Sequence, residues 1–263
     1  MKYAIAMALI LNLAFTMSAT QSDADLIIYY DYEEIQDGWI LDRSGNGIDG
    51  RIEGTVSLAD GPHGKAGFFE KGSYLDLDGP NVPQDLIPKD AFSITAWVSI
   101  ENTGEHHAIF NARASDEQWI IHPEVRDTSN QYRWLLRTDM PGGTIFDIRA
   151  GGPKVGAWVH FAGTYSRADG VGILYIDGEE VGREDAREAD VPVAGDWGLG
   201  ARVGYNIDNA RPFTGMMDDF TIWNVALTPD EVIDVMDNGP PGVPTSVAPE
   251  GKLATTWGNL KQF

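Results

Sequence analysis

Cysteine is absent from the 263 residues. Its absence excludes disulfides, thiolate metal sites, cysteine nucleophiles and an anchor through a lipidated cysteine. Positive charge is scarce: 19 Lys and Arg stand against 40 Asp and Glu, a net charge of −21. That balance argues against nucleic acid and against anionic membranes, since both need clustered cations. Long apolar runs are missing too. After residue 24 no stretch reaches the roughly 18 apolar residues of a membrane helix, so no membrane insertion of the mature chain is expected. Sustained helical periodicity is also missing, which disposes of an α/β fold. There is no P-loop, no G-x-G-x-x-G between a strand and a helix, and no G-x-S-x-G.

What is present begins with a leader. Lys2 supplies a short basic start, Ala4 to Phe15 is apolar, and Ser22 with Ala24 forms an S-x-A cleavage pattern. Residues 1–24 are expected to be a secretory signal peptide, which places the protein outside the cell: secreted, on the cell surface or periplasmic. Residues 25–238 are expected to form one domain, followed over 239–263 by a Pro-rich linker and a short tail around Trp257.

Within the domain, LIIYYDYE, AFSITAWVSI, YRWLLR, GTIFDIRA, AWVHFAGTY and FTGMMDDFTIW are rich in β-branched and aromatic residues. Clusters such as SGNG, DGPHG, MPGG and RADG separate them, the pattern of an all-β sandwich or jelly roll. Gly172 to Val181 predicts a hairpin with Asp177-Gly178 at its turn. One helix is predicted: Thr228 at the N-cap, Pro229 at N1 and Glu231 completing a capping box, with Val232, Val235 and Met236 on one face.

The stretch DRSGNGIDGRIE, Asp42 to Glu53, has the spacing of an EF-hand loop, with Ser44 at its third position. An EF-hand needs flanking helices, and both flanks here read as strands. The loop is therefore expected to be a turn in which Asp42 and Asn46 bond local amides.

The opening strand, the D-x-S-G-N-G-x-D-G turn, KAGFFEKGSYLDL, FSITAWVSI, the paired GAWVHFAGTY and GILYIDGEEVG, and FTGMMDDFTIWNVALTPDEV come in a definite order. In that order they resemble the laminin-G-like jelly-roll domains of the concanavalin A-like lectin/glucanase superfamily, from about residue 26 to 237. The resemblance implies a two-sheet antiparallel sandwich. It also implies a structural calcium joining the first strand to the last, at Glu33 and Asp218, with Asp219 as the alternate and a carbonyl near Gly72 completing the site.

Glucanases of this superfamily carry E-x-D-x-x-E, whose alternation sets acid and nucleophile on one sheet face. No such motif occurs, so no catalytic residue is assigned and no enzyme is expected. His160 reads as structural, and His106, His107 and His122 make a poor zinc set. Sugar recognition needs an aromatic face and planar polar groups. Trp119 and Trp134, with Arg113 and Arg137, are the candidates, and Asn111, Arg133 and Asp139 stand near them in sequence. The expectation is a secreted, non-catalytic binding module for carbohydrate or glycan. A protein-interaction or adhesion module for a cell-surface protein is the alternative, and a glucanase-type hydrolase is the least supported.

Overall fold

The computed structural model describes residues 26–115, 119–137, 143–187, 193 and 195–241; the side chains of 119, 120 and 127 fall outside that set. The expected leader, Asp139 and the tail around Trp257 lie outside the described residues.

Seventeen strands and one α-helix follow one another among the described residues. They are β1 Leu26–Tyr30, β2 Trp39–Ile40, β3 Gly50–Glu53, β4 Val56–Gly61, β5 Gly64–Phe69, β6 Tyr74–Asp76, β7 Ala91–Ile100, β8 His106–Ala108 and β9 Phe110–Arg113. Then come β10 Trp119–Arg126, β11 Gln131–Arg137, β12 Thr144–Ala150, β13 Val159–Ser166, β14 Val171–Ile176, β15 Glu179–Asp185, β16 Gly200–Val203, β17 Gly215–Trp223 and α1 Pro229–Asn238. One sheet runs β15-β14-β13-β7-β17-β5-β4 with β1 against β17. The other runs β12-β11-β10-β9-β16-β6-β3-β2 with β8 against β10. The pairings are antiparallel, and the two sheets stack as a jelly-roll sandwich.

Aromatic side chains from both sheets fill the space between them. Phe92 of β7 stacks on Trp134 of β11, with centroids 5.6 Å apart. Phe146 of β12 meets Tyr165 of β13 at 5.7 Å, and Phe110 of β9 meets Phe220 of β17 at 5.8 Å. Rings of this size bury the most apolar area per residue, which is the main favourable contribution to folding.

The β7 sheet is covered on its other face as well. Helix α1 lays Val232 and Val235 on Leu26, Tyr29, Ala162, Tyr175 and Trp223. Its capping box forms as the sequence predicts: Thr228 accepts the Glu231 amide, and the Glu231 carboxylate accepts the Thr228 amide. Burial on both faces explains why LIIYY is buried throughout rather than alternating. The β14–β15 hairpin turns through Asp177 and Gly178 at φ 52° and 77°, the pair a type I′ turn requires.

The Asp42–Glu53 loop is a turn. Asp42 accepts the amides of Tyr29, Ser44 and Ile48, while the Asn46 amide donates to the carbonyls of Leu26 and Ile27. Asn46 thus bonds carbonyls rather than amides, because it closes the turn onto β1. Glu53 belongs to β3, opposite Tyr74.

Candidate functional site

Among the described residues no α-helix lies over the β10 sheet, and its outer face carries the polar half of each strand. Register decides which half. Val125, Tyr132 and Ala150 stand in one row, as do Pro123, Trp134 and Ile148. These rows face the core. The alternate rows, Glu124–Arg133–Arg149 and His122–Leu135–Asp147, face outward.

This register corrects the expectation for Trp134. Its ring is fully buried in the sandwich, and its Nε1–H donates to the Thr164 carbonyl at 3.0 Å. It cannot stack on a ligand. Arg133 and Arg137 take the opposite parity and lie on the outer face. Arg113 ends β9 on that face beside Gly200 of β16. Trp119 opens β10 opposite Arg113, and its side chain is outside the described residues. The expected ligand residues are therefore split between the core and the outer face.

At the centre of the outer face is Glu124, fully buried. His122 Nε2 lies 2.7 Å from it, Arg211 Nε 3.1 Å, Arg126 Nε 3.2 Å and Arg133 Nη1 3.4 Å. Burial alone would push its carboxyl up. The contact with His122 and the charges of Arg211 and Arg133 outweigh burial and hold it at about 2. The His122 imidazole is pushed down by its own burial, against the pull of Glu124. Asp147, one row away, takes a bidentate pair from Arg133 at 2.6 and 2.9 Å and a further contact from Arg149 at 2.6 Å. Those pairs overcome its burial and hold it well below the usual carboxylate range.

Two clefts flank this network. One, about 560 Å³, opens between the free edges of β12 and β15 and is lined by Arg149, Arg183, Arg187, Asp147 and Glu184. The other, about 510 Å³, lies under the β16–β17 loop and is lined by Lys71, Glu105, His106, Thr128, Tyr205, Asn209 and Arg211, among others. Tyr205 donates its hydroxyl to the Asn209 carbonyl at 3.0 Å. Its ring sits 5.7 Å from that of Tyr74, over which the Arg202 guanidinium rests at 4.3 Å. None of Tyr74, Tyr205 and Arg211 is marked by a sequence motif. They come from β6 and the β16–β17 loop, two distant segments that only the fold brings together.

The positions expected for calcium lie on the other sheet. Asp218 and Asp219 are both buried in β17. Glu33 is near them along the chain fold: it accepts the amide of Lys65, next to the β4–β5 turn that carries His63. Gly72 is apart. It follows β5 past Phe69, which pairs with Gly215, whereas Asp218 lies beyond the opposite end of that pairing, at Met217 and Gly67. The register of β5 therefore places the fourth expected position away from the other three.

The aspartate oxygens suit calcium by type, but each already has a partner. Asp218 Oδ1 accepts the Asp219 amide at 2.8 Å and Oδ2 the His63 amide at 3.2 Å. Asp219 Oδ1 accepts the Tyr29 hydroxyl at 2.7 Å, and Oδ2 lies 2.6 Å from His63 Nδ1. Burial, and then the charge of Asp219, push the Asp218 carboxyl up to about 8, while the bond to Asp219 raises His63. Among the described residues no three or more His, Asp or Glu converge where a metal ion could be held. As arranged, this set does not fit calcium unless His63 turns away.

Residues 70–233 match the family described as the concanavalin A-like lectin/glucanases superfamily, of laminin-G type. Mouse (Mus musculus) pappalysin-1 is 26% identical over 198 residues, which is 67% of this chain and 11% of that protein. The chain thus spans a small part of this curated relative. Among solved structures, domain 4 of AbnA, a GH43 extracellular arabinanase from Geobacillus stearothermophilus in complex with arabinotriose, is 23% identical, with 80% of this chain and 98% of that domain covered at a TM-score of 0.55. The ligand-binding domain of botulinum neurotoxin serotype D, in complex with N-acetylneuraminic acid, is 15% identical, with 81% and 50% covered at 0.56. The receptor-binding domain of the serotype C/D mosaic reaches 0.61 at 16% identity, with 81% and 51% covered. At these identities the structural likeness speaks for the fold.

Proposed function

The chain belongs to the concanavalin A-like lectin/glucanases superfamily, and from that premise we propose that it is a secreted, non-catalytic module that binds carbohydrate on the outer face of the β10 sheet. The observation that carries this reading is the cleft of about 510 Å³ in which Tyr205 meets the planar and charged groups of His106, Asn209 and Arg211. An aromatic face for the apolar side of a sugar ring, with a few fixed polar groups at its edge, is the usual composition of a sugar site. The complex of AbnA domain 4 with arabinotriose supports carbohydrate as the ligand class on this fold. The apolar leader supports export.

Electrostatics supports the absence of hydrolysis. Glycosidases of both stereochemical types need one carboxyl held protonated as general acid. Glu124 and Asp147, the carboxylates at the centre of this face, are both held below the usual carboxylate range, Glu124 by His122 and then arginines, Asp147 by arginines.

A glycan array with the purified protein, followed by calorimetry on the hits, tests the proposal. Tyr205→Ala is expected to weaken binding at least tenfold while the protein stays folded at the assay temperature, as a melting curve checks. Binding to a cell-surface protein and to no glycan would replace the carbohydrate reading with the adhesion one. Sugar release from a β-glucan would end the non-catalytic one. Calcium is proposed as a separate addition at Asp218 and Asp219, requiring His63 to turn away. Melting in millimolar calcium against chelator decides it, and identical curves remove it.

A further inference from the structure

Resting on the carbohydrate reading, we infer that the saccharide in the Tyr205 cleft carries a carboxylate, as a uronic or sialic acid does, and that Arg211 reads it with Glu124 as the positioning residue behind. The first ground is how Arg211 is held. Its backbone is left-handed at φ 56°, a region that non-glycine residues rarely occupy and that persists only where surroundings impose it. The Ala108 amide fixes its carbonyl at 3.1 Å. Its Nε lies 3.1 Å from buried Glu124 as a charge contact outside hydrogen-bond geometry, and Arg133 Nη1 donates to the same carboxylate at 3.4 Å. The attraction to Glu124 draws the guanidinium to this place before any ligand arrives. Its side chain lines the cleft, and among the described residues no acceptor is paired with its Nη1 or Nη2. A planar fork with two parallel N–H groups matches a carboxylate bidentately.

The second ground is charge. Arg126, Arg133, Arg137, Arg149 and Arg211 crowd the β10–β12 side of this outer face, where Glu124 and Asp147 are the carboxylates they meet; Asp76 and Glu53, on the β3–β6 side of the same face, are paired with Arg51. That local excess of cations sits on a chain of net charge −21. At physiological salt, charges beyond about 8 Å are largely screened, so an anion in the cleft senses the arginines more than the distant acids. Glu105, the acid in the cleft, is paired with Lys71 at 2.9 Å.

The β12–β15 cleft makes the contrast. It too has three arginines, but Arg149 is paired with Asp147, Arg183 with Glu180 and Arg187 with Glu184. Its guanidiniums answer to carboxylates of the protein itself. The fork of Arg211 is the one turned to the cleft.

Calorimetry with the full chain tests this on two acidic probes, tetragalacturonate and sialyllactose, each against its neutral counterpart, galactotetraose and lactose. At least one acidic probe is expected to bind tenfold or more tighter than its neutral counterpart, and which one does so separates uronate from sialate. Arg211→Lys keeps the charge but loses the fork; it is expected to cut that preference to threefold or less by weakening the acidic probe more than the neutral one. Glu124→Gln is expected to cut the preference in the same way, a split between ligands that loss of stability alone would not produce. Arg183→Ala is expected to change neither. Equal affinity for acidic and neutral probes overturns the inference and leaves the carbohydrate reading standing. No binding of any saccharide overturns both. A preference that survives Arg211→Lys, or sulfated chains bound as tightly as carboxylated ones, shows a diffuse polyanion effect and also overturns the inference.

Discussion

Gly163, in the middle of β13, decides where one of the buried indoles of the core can lie. A Cβ at that position would stand 2.6 Å from the Trp134 ring. Gly163→Ala is therefore expected to cost about 2 kcal/mol by overpacking, read by chemical denaturation. The cost should shrink when Trp134→Phe is made in the same chain, and simple additivity of the two changes would show that the ring is not the obstacle. The placement of Trp134 was legible in YRWLLR itself. Arg133 and Arg137 share a parity that Trp134 does not, so the two arginines and the tryptophan cannot line one face. Glu124 was not legible, because its four cationic or imidazole neighbours come from β10, β11 and a distant loop. Glu124→Gln removes the one anion those groups share. A loss on the order of 3 kcal/mol is expected, the low end for a broken buried pair, since Arg126 and Arg211 are partly exposed. Melting within one degree of the parent would mean that solvent, not Glu124, balances the arginines.

Elements whose signals are local were the readable ones. The β14–β15 hairpin depends on two adjacent turn residues, and α1 on four residues at its start. Thr228→Ala deletes the side-chain acceptor of the Glu231 amide and half of the capping box. It is expected to cost about 1 kcal/mol. Hydrogen exchange should be faster over 229–238 specifically, because the cap acts on the helix alone. Uniformly faster exchange would instead mean that α1 and the sheet beneath it open as one unit. The positions implied for calcium show the opposite case. Glu33, Gly72 and Asp218 were aligned by order along the chain, but proximity depends on register between β5 and β17, and register is a non-local property. Pairing Gly215 with Phe69 moves Gly72 away from Asp218. The cleft is harder still to foresee, since Tyr74, Tyr205 and His106 meet only when β6, β8 and the β16–β17 loop reach the same rim.

For the whole molecule, the consequence of covering one sheet on both faces is a set of buried polar groups that must stay neutral or paired. His160 is the clearest. It pairs with Trp97 across β7 and β13, its ring packs 5.3 Å from that indole, and burial pushes its imidazole down to about 3. The unfolded imidazole titrates near 6.5. Between about 3 and 6.5 the unfolded chain therefore binds a proton that the folded chain refuses, and stability falls as pH falls through that window. Buried His122 acts in the same direction. His63 and Asp218, both raised, act in the opposite one, since each favours the protonated form in the folded state. The net acid limb of the protein thus mixes opposing terms, and only a difference isolates one of them. His160→Gln keeps a polar side chain of similar size but cannot titrate. Between pH 7 and pH 5 the parent is expected to lose on the order of 2 kcal/mol more than this variant, because the other groups cancel in the comparison. Denaturation curves at the two pH values measure it. Equal losses would mean that His160 takes up its proton in the folded state, which would require an acceptor within the sheet and helix contact that now encloses it.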